Sequence, residues 1–349
     1  MIITKIQPSV TRNYTKLANK PVKMDSPCSS GNCNQGQTGL SQDTVSFRGN
    51  IVNGINSARK WINYGDIFHE GANLAGKELS FSKLRIADLT NANLKNSLCK
   101  NVFWNAVKLT GANLEGACFK NSKLITCLFK DVETQDARFE YSNLADSVFE
   151  GDFGMWTRLS HNNLTDADFS KANVEMVNFA TSIYNKRTKF PKNFNPDDEG
   201  LYLLDKGSTL SKCLNDMQLQ GLEFDTIDLE GTYLNSTHLE GSTFKNCLLK
   251  NIWMQNANAE SIKLYNCNLT ESNLRGSNFS LSTLNNVDLR NTDLKGANLT
   301  WAEAKDVNLD GAIYDQYTSF RDYFDPKANG MIYKHTTEFS DGFYGMDRK

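Results

Sequence analysis

The stretch NNVDLRNTDLKGANL, residues 285–299, places a leucine at every fifth position: Leu289, Leu294 and Leu299. An α-helix repeats its buried face about every 3.6 residues and a β-strand every 2 residues. A period of five matches neither element, so this stretch requires a different architecture.

The same period runs through most of the chain. From residue 74 to residue 184, 20 of the 23 positions in this phase hold Leu, Phe, Val, Trp or Tyr, and the exceptions are Cys99, Thr134 and Gly154. From residue 214 to residue 314, 19 of 21 positions hold Leu, Phe, Met or Tyr, and the other two are Ala259 and Ala304. Self-similarity at a fixed period predicts a repeat architecture.

A second row of small residues lies two positions before the large apolar row. It includes Ala92, Ser97, Ala112, Thr232, Ser277 and Ala297, and the residue between the rows is often Asn or Asp. The repeating unit is therefore small, Asn or Asp, large apolar, polar, polar.

This unit resembles the pentapeptide-repeat family, whose consensus is A(D/N)LXX; GANLEGACF, KANVEMVNF, GSNFSLSTL and KGANL match it as they stand. The resemblance covers about 215 of the 349 residues. It implies an all-β fold, a right-handed quadrilateral β-helix in which four pentads form one coil. The large and small rows point inward, and residues 20 apart stack at about 4.8 Å. Phe129, Phe149 and Phe169 should then stack in one column.

A terminal unit occurs twice, at an offset of 130 residues. SIYNKRTKFPKNFNPDDEGL (182–201) corresponds to AIYDQYTSFRDYFDPKANGM (312–331). Solenoids need atypical terminal units, because the last coil exposes apolar surface. The paired phenylalanines should cover that coil. Asn195-Pro196 and Asp325-Pro326 predict the starts of short helices that end at Gly200 and Gly330.

The sequence therefore predicts two tandem rods with short helical caps. The expected segments are 1–45 (disordered), 46–71 (N-terminal cap), 72–184 (first β-helix), 185–213 (cap and linker), 214–314 (second β-helix) and 315–349 (C-terminal cap and tail). One long rod interrupted by an insertion at 185–213 is the alternative.

No constellation for catalysis is visible. His69, His161, His238 and His335 lie far from any nucleophile motif, and no phosphate-binding or dinucleotide motif occurs. Cys28 and Cys33 form the one cysteine pair outside the repeats, and they lack partners for a four-ligand metal site. We expect no enzyme activity, cofactor or metal.

Bulk composition narrows the remaining classes. A net charge of −2 argues against direct nucleic-acid binding. The sequence contains no run of 18 apolar residues, so no membrane-spanning helix is predicted. The N-terminus lacks the apolar block of a secretory signal, so a cytoplasmic location is expected, with secretion without a cleaved signal left open.

One candidate partner site is the interruption at Gly154. It places Phe153, Met155 and Trp156 beside a glycine in the large row. A β-bulge explains this structurally. Alternatively, the displaced apolar residues face outward and bind a partner.

The other candidate site is acidic. It comprises Asp216, Glu223, Asp225, Asp228, Glu230 and Glu240, with no Lys or Arg from 213 to 244. Some proteins of the family mimic DNA and bind gyrase. Here residues 214–314 hold 7 basic and 13 acidic side chains, a net charge of −6. That falls short of the roughly 15 charges expected for about 25 Å of duplex at one per 1.7 Å. Asp225 and Glu230 should also stack on Lys245 and Lys250, which would weaken the acidic field.

The leading interpretation is a non-enzymatic interaction or scaffold rod that presents flat polar faces to a protein partner. Binding to a topoisomerase such as gyrase by DNA mimicry is the alternative, and a secreted bacterial effector is a third class. A homodimer through a cap is also open.

Overall fold

A computed structural model describes residues 68–210 and 213–336. The predictions for residues 1–45, including Cys28 and Cys33, for most of the N-terminal cap and for the tail after residue 336 lie outside these residues. Within them, no helix has the length and apolar character needed to cross a bilayer.

The fold is all-β, a β-solenoid of about 12 turns. Its short strands pair in parallel, and the described residues contain a single 3-10 helix at Lys327–Asn329. The strands are β1 (Lys83–Arg85), β2 (Phe103–Asn105), β3 (Lys123–Ile125), β4 (Leu128–Lys130), β5 (Val148–Asp152), β6 (Asp168–Asn173), β7 (Ile183–Tyr184), β8 (Tyr202–Leu203), β9 (Glu223–Asp225), β10 (Thr243–Lys245), β11 (Lys263–Asn268), β12 (Thr283–Asp288), β13 (Glu303–Asn308), β14 (Ile313–Tyr314) and β15 (Ile332–Tyr333).

The 20-residue register is confirmed. Leu84 pairs with Trp104 and Trp104 with Leu124, and in the second half Phe224 pairs with Phe244. The predicted aromatic column also forms: the rings of Phe129 and Phe149 stack at 4.9 Å, and those of Phe149 and Phe169 at 4.2 Å. Both inward rows are therefore assigned correctly by the five-residue period.

Hydroxyl groups on the small row are buried, and many of them donate a hydrogen bond to a carbonyl of the preceding coil. The Ser122 hydroxyl donates a hydrogen bond to the Cys99 carbonyl at 2.8 Å, and Ser147 does the same to the Leu124 carbonyl at 2.7 Å. In both cases the acceptor lies 23 residues earlier. The small row can therefore hold Ser or Thr with the hydroxyl paired, and Ser282 is an exception, because its buried hydroxyl has no partner.

The buried apolar residues form two clusters. One runs from Phe68 to Leu201 and the other from Ile183 to Met331. Ile183 occupies an outward position of its pentad, yet it is buried in the second cluster. Asn143 and Asn163, 40 and 20 residues earlier on the same side, are also buried. Residues 72–184 are called here the first stack and residues 214–314 the second stack; Ile183, near the end of the first, is buried in the apolar cluster of the second.

The prediction of two short cap helices is wrong in part. Residues 196–200 form a turn, and only the second copy forms a helix, the single 3-10 turn at Lys327–Asn329. Each segment holds only three residues between proline and the left-handed glycine (Gly200, φ 71; Gly330, φ 76), too few for an α-helix. The phenylalanines do cover the core: Phe194 packs edge-on against Phe179, with ring centroids 5.3 Å apart.

Candidate interaction surfaces

The corners of the coils set the shape of the surface. At most corners one residue has a positive φ, and Asn, Asp and Gly fill most of these positions. The left-handed region disfavours other residues, because the Cβ approaches the following carbonyl. A large apolar residue at such a corner is therefore unfavourable for backbone reasons, and exposing it to water adds a second cost.

The interruption at Gly154 is a β-bulge, as the structural explanation predicted. The register between β5 and β6 shifts between Val148 and Glu150, and Gly151 adopts a φ of +102°. The amide of Gly154 donates to the Thr134 hydroxyl at 3.1 Å, and the Thr157 hydroxyl donates to the Thr134 carbonyl at 2.8 Å. A small hydrogen-bonded cluster thus replaces two large apolar residues.

The β-bulge shows that the prediction of Phe153 as a partner contact was wrong. Phe153 points inward and is only 3% exposed, because the register shift moves the inward position by one residue. Its ring lies 5.6 Å from that of Phe149. Phe153 therefore fills the space that Gly154 leaves empty, and does not face a partner.

Met155 and Trp156 do face solvent, with 53% and 64% of their surfaces exposed. Trp156 occupies a left-handed corner with a φ of 69°. Met176, at the same position of the next coil, is 54% exposed. Met155, Trp156 and Met176 form an exposed apolar surface, called here the corner patch.

The six predicted acids do not share one face. Asp216 and Glu240 lie near the flank of the first stack, where the charges of Lys120 and Lys123 reach them. Burial raises the pKa of Asp216, against the influence of Lys120 and His238. Burial also works to raise the pKa of Glu240, but the hydrogen bond from His238 and the charges of His238 and Lys123 outweigh it and lower the pKa.

The other four acids follow adjacent sides of one coil, namely Glu223, Asp225, Asp228 and Glu230. Asp225 lies in register with Lys245 as predicted, but its ion pair is with Lys206, at 3.4 Å. Lys250 also forms an ion pair with Glu271, at 3.5 Å. The hydrogen bond from Thr226, with that from Lys206, lowers the pKa of Asp225. Neighbouring coils thus neutralise part of the acidic set.

Two asparagine ladders run along the surface of the second stack. On one side Asn266 donates to Asn246 at 2.9 Å and Asn286 to Asn266 at 3.0 Å. On another, the side-chain amides of Asn258, Asn278 and Asn298 are linked at 3.1 Å, and Asn258 donates to Glu240 at 2.8 Å. Each amide is fixed by its neighbours, so these faces are ordered in advance of binding.

The histidines of the described residues do not assemble a reactive centre. The His161 ring stacks on Tyr141 at 4.5 Å, and burial lowers the pKa of His161. His238 instead contacts Glu240 at 3.2 Å. Among the described residues, no group of His, Cys, Asp or Glu has an arrangement that could hold a metal ion.

Sequence reasoning missed a second exposed corner. Leu281 (φ 58°) and Trp301 (φ 60°) occupy the same corner of adjacent coils and are 54% and 71% exposed. A scan of the corner positions, whose numbers end in 1 or 6, for large apolar residues would have found both.

The pentapeptide-repeat family model matches residues 87–124 and, in overlapping segments, 254–313, with eight copies in all. No curated protein matches the chain. Among solved structures, HetL, a pentapeptide repeat protein involved in heterocyst differentiation regulation in Nostoc sp. strain PCC 7120, is 22% identical, covering 68% of this chain and 91% of HetL with a TM-score of 0.30.

Two further structures are similar. QnrB1, a plasmid-mediated fluoroquinolone resistance protein, is 15% identical over 68% of this chain and 91% of its own, with a TM-score of 0.26. A pentapeptide repeat protein of the Arabidopsis thaliana thylakoid lumen is 27% identical over 28% of this chain and 66% of its own, with a TM-score of 0.20.

Proposed function

The chain belongs to the pentapeptide-repeat family, and we propose that it is a non-enzymatic scaffold that binds a protein partner through the corner patch. The observation that carries this proposal is Trp156. Its indole is 64% exposed, at a backbone position where Asn or Gly would be more stable. A residue that is unfavourable for both solvation and backbone conformation is a good candidate for a partner contact.

The scaffold supports the patch rigidly. The bulge that precedes it is fixed by the hydrogen bonds among Gly154, Thr134 and Thr157, and the adjoining Phe153 is anchored in the core. Binding therefore orders little backbone, and more of the contact energy appears as affinity. A tryptophan flanked by methionines is also the composition of a protein-binding hot spot.

The organisation that we propose is two tandem rods, each closed by its own cap. Two separate apolar clusters support it. So does the pairing of strands, because within the described residues no sheet joins β1–β8 to β9–β15. In this arrangement Ile183 of the first rod packs in the apolar cluster at the start of the second rod, with Leu210 and Leu214.

The six acidic residues support DNA mimicry less than the corner patch supports the scaffold function. Asp216 and Glu240 lie beside the lysines of the first stack, and Asp225 is paired with Lys206. The remaining carboxylates do not form a continuous row along the axis. The third class, a secreted effector, depends on residues 1–45 and stays a prediction, as does the cytoplasmic location.

Affinity capture with matched variants tests the proposal. Tagged full-length wild type is compared, in lysate of the native organism, with a patch variant (Met155→Gln, Trp156→Asn and Met176→Gln). The control is an acid variant in which the six acids become Asn or Gln. We expect a partner that wild type and the acid variant capture and the patch variant loses. A topoisomerase lost only with the acid variant would establish the alternative.

A further inference from the structure

The two copies of the cap do not close their cores equally well. In the first copy Phe179 is fully buried beneath Phe194, and Val174 is nearly so. At the same positions of the second copy, 130 residues later, stand Leu309 and Ala304. Both replacements remove side-chain volume while the capping phenylalanines are kept.

The lost volume leaves an apolar cavity at the end of the second stack. Its walls include Leu299, Ala304, Val307, Leu309, Phe320 and Phe324. Ala304 is exposed although it belongs to the large inward row, and Leu309 and Val307 are only partly buried. The cavity therefore opens to solvent, and it has the size of part of a side chain.

A free strand edge borders this cavity. β13 (Glu303–Asn308) is the last strand of its sheet, and among residues 68–210 and 213–336 no strand other than β12 pairs with it, so these residues leave its outer edge uncovered. Unpaired backbone groups along such an edge can pair with an added strand. The exposed corner of Leu281 and Trp301 immediately precedes β13 and extends the apolar surface.

Charge around the edge favours a cationic ligand. From residue 303 to residue 310 there are three carboxylates, Glu303, Asp306 and Asp310, against one ammonium group, Lys305. The guanidinium of Arg321 at the cavity wall reduces this negative charge but does not cancel it. A strand laid along β13 would place its outward side chains next to these groups. Lysine or arginine at those positions would be complementary.

We infer that the C-terminal end of the solenoid binds an extended, basic segment of a partner protein. The segment adds a strand to β13 and packs one bulky apolar side chain over the cavity beside Ala304, with part of that side chain inside it. This inference rests on the proposed scaffold function and assigns it a second binding surface, separate from the corner patch.

The test uses the full chain and a labelled synthetic peptide, Thr-Lys-Phe-Thr-Arg-Val-Thr-Lys, whose phenylalanine is the anchor. Fluorescence anisotropy compares it with the same peptide carrying alanine instead. We expect wild type to bind the phenylalanine peptide roughly ten-fold more tightly, the lower end of the range for burial of one large apolar side chain, because the cavity encloses only part of the ring. Equal binding of the two peptides, or none, overturns the inference.

Two variants make the test specific. A filled variant, Ala304→Val with Leu309→Phe, copies the first end, where Val174 and Phe179 close the space. It should fold normally and lose the preference for phenylalanine. The patch variant should keep that preference. If the patch variant still captures the partner from lysate, only the proposed function is contradicted. If the filled variant keeps the preference for phenylalanine, only the inference about the C-terminal end is contradicted.

Some amides of β13 already pair with β12, such as that of Glu303 with the Ser282 carbonyl. Hydrogen exchange of the other β13 amides, which face the outer edge, identifies other occupants. We expect fast exchange in the free protein and slow exchange with the peptide. Slow exchange in the free protein at all concentrations would mean that residues 337–349 already occupy the edge. Slow exchange that appears only at high protein concentration would mean that a second copy does. Either result contradicts the assignment to a partner segment.

Discussion

The Gly154 amide donates a hydrogen bond to the Thr134 hydroxyl, 3.1 Å away. Both residues interrupt the large apolar row of the first stack: Thr134 is polar, and Gly154 has no side chain. They lie 20 residues apart, one coil above the other. They are thus one feature, not two. The coil at residue 154 has no large inward side chain. The preceding coil compensates, because the Thr134 hydroxyl accepts a hydrogen bond from the Gly154 amide.

The inward row should be intolerant of charge and the outward positions tolerant of it. Leu109→Lys buries an ammonium group at a fully enclosed site and should destabilise the fold by at least about 4 kcal/mol. Lys108→Glu loses only an exposed ion pair with Asp88 and should cost about 1 kcal/mol or less. Chemical denaturation of the two variants compares them; similar losses of stability would refute the assigned register.

The aromatic column should carry much of the stability of the first stack. Phe149 stacks between Phe129 and Phe169, so Phe149→Ala should lower the free energy of unfolding by about 3–5 kcal/mol. Phe103 lies on the outward side and is 41% exposed, which makes Phe103→Ala the matched control. The control should cost less than about 1 kcal/mol. A larger loss for Phe103→Ala than for Phe149→Ala would reverse the inward and outward assignments.

Replacing Trp156 should separate binding from stability. Trp156→Asn places a residue suited to the left-handed region at the corner, so thermal stability should stay equal or rise by up to about 1 kcal/mol, while capture of the partner is lost. Trp156→Val puts a β-branched residue at the same φ and should destabilise the coil. Marked destabilisation by Trp156→Asn would show that the indole has a structural role.

Acid should weaken the fold through Asp168. Burial works to raise its pKa, but hydrogen bonds from Lys189 and Ser170 outweigh it and lower the pKa to about 2. In the unfolded chain an Asp side chain has a pKa of about 3.9. The stabilisation is therefore fully present above about pH 3.9 and disappears as the pH falls towards 2. Melting temperatures of wild type and Asp168→Asn should converge across that interval; a constant difference would exclude this linkage.

The five-residue period was enough to predict which side chains point inward, because each corner imposes the same geometry. It placed Phe129 over Phe149 and identified the capping phenylalanines. It could not predict that Phe153 turns inward, since that depends on a one-residue shift between β5 and β6. It could not predict that Asp216 and Glu240 approach Lys120 and Lys123, because that contact joins distant coils. The short caps formed tighter turns than expected, because proline and glycine stand only four residues apart.

Hydrogen exchange on the full chain, with and without its captured partner, tests the central claim most directly. The account predicts that the partner slows exchange from residue 150 to residue 157 and around Met176, where the corner patch lies. Slower exchange confined to residues 223–230, with the corner patch unchanged, would contradict it and assign partner binding to the acidic coil.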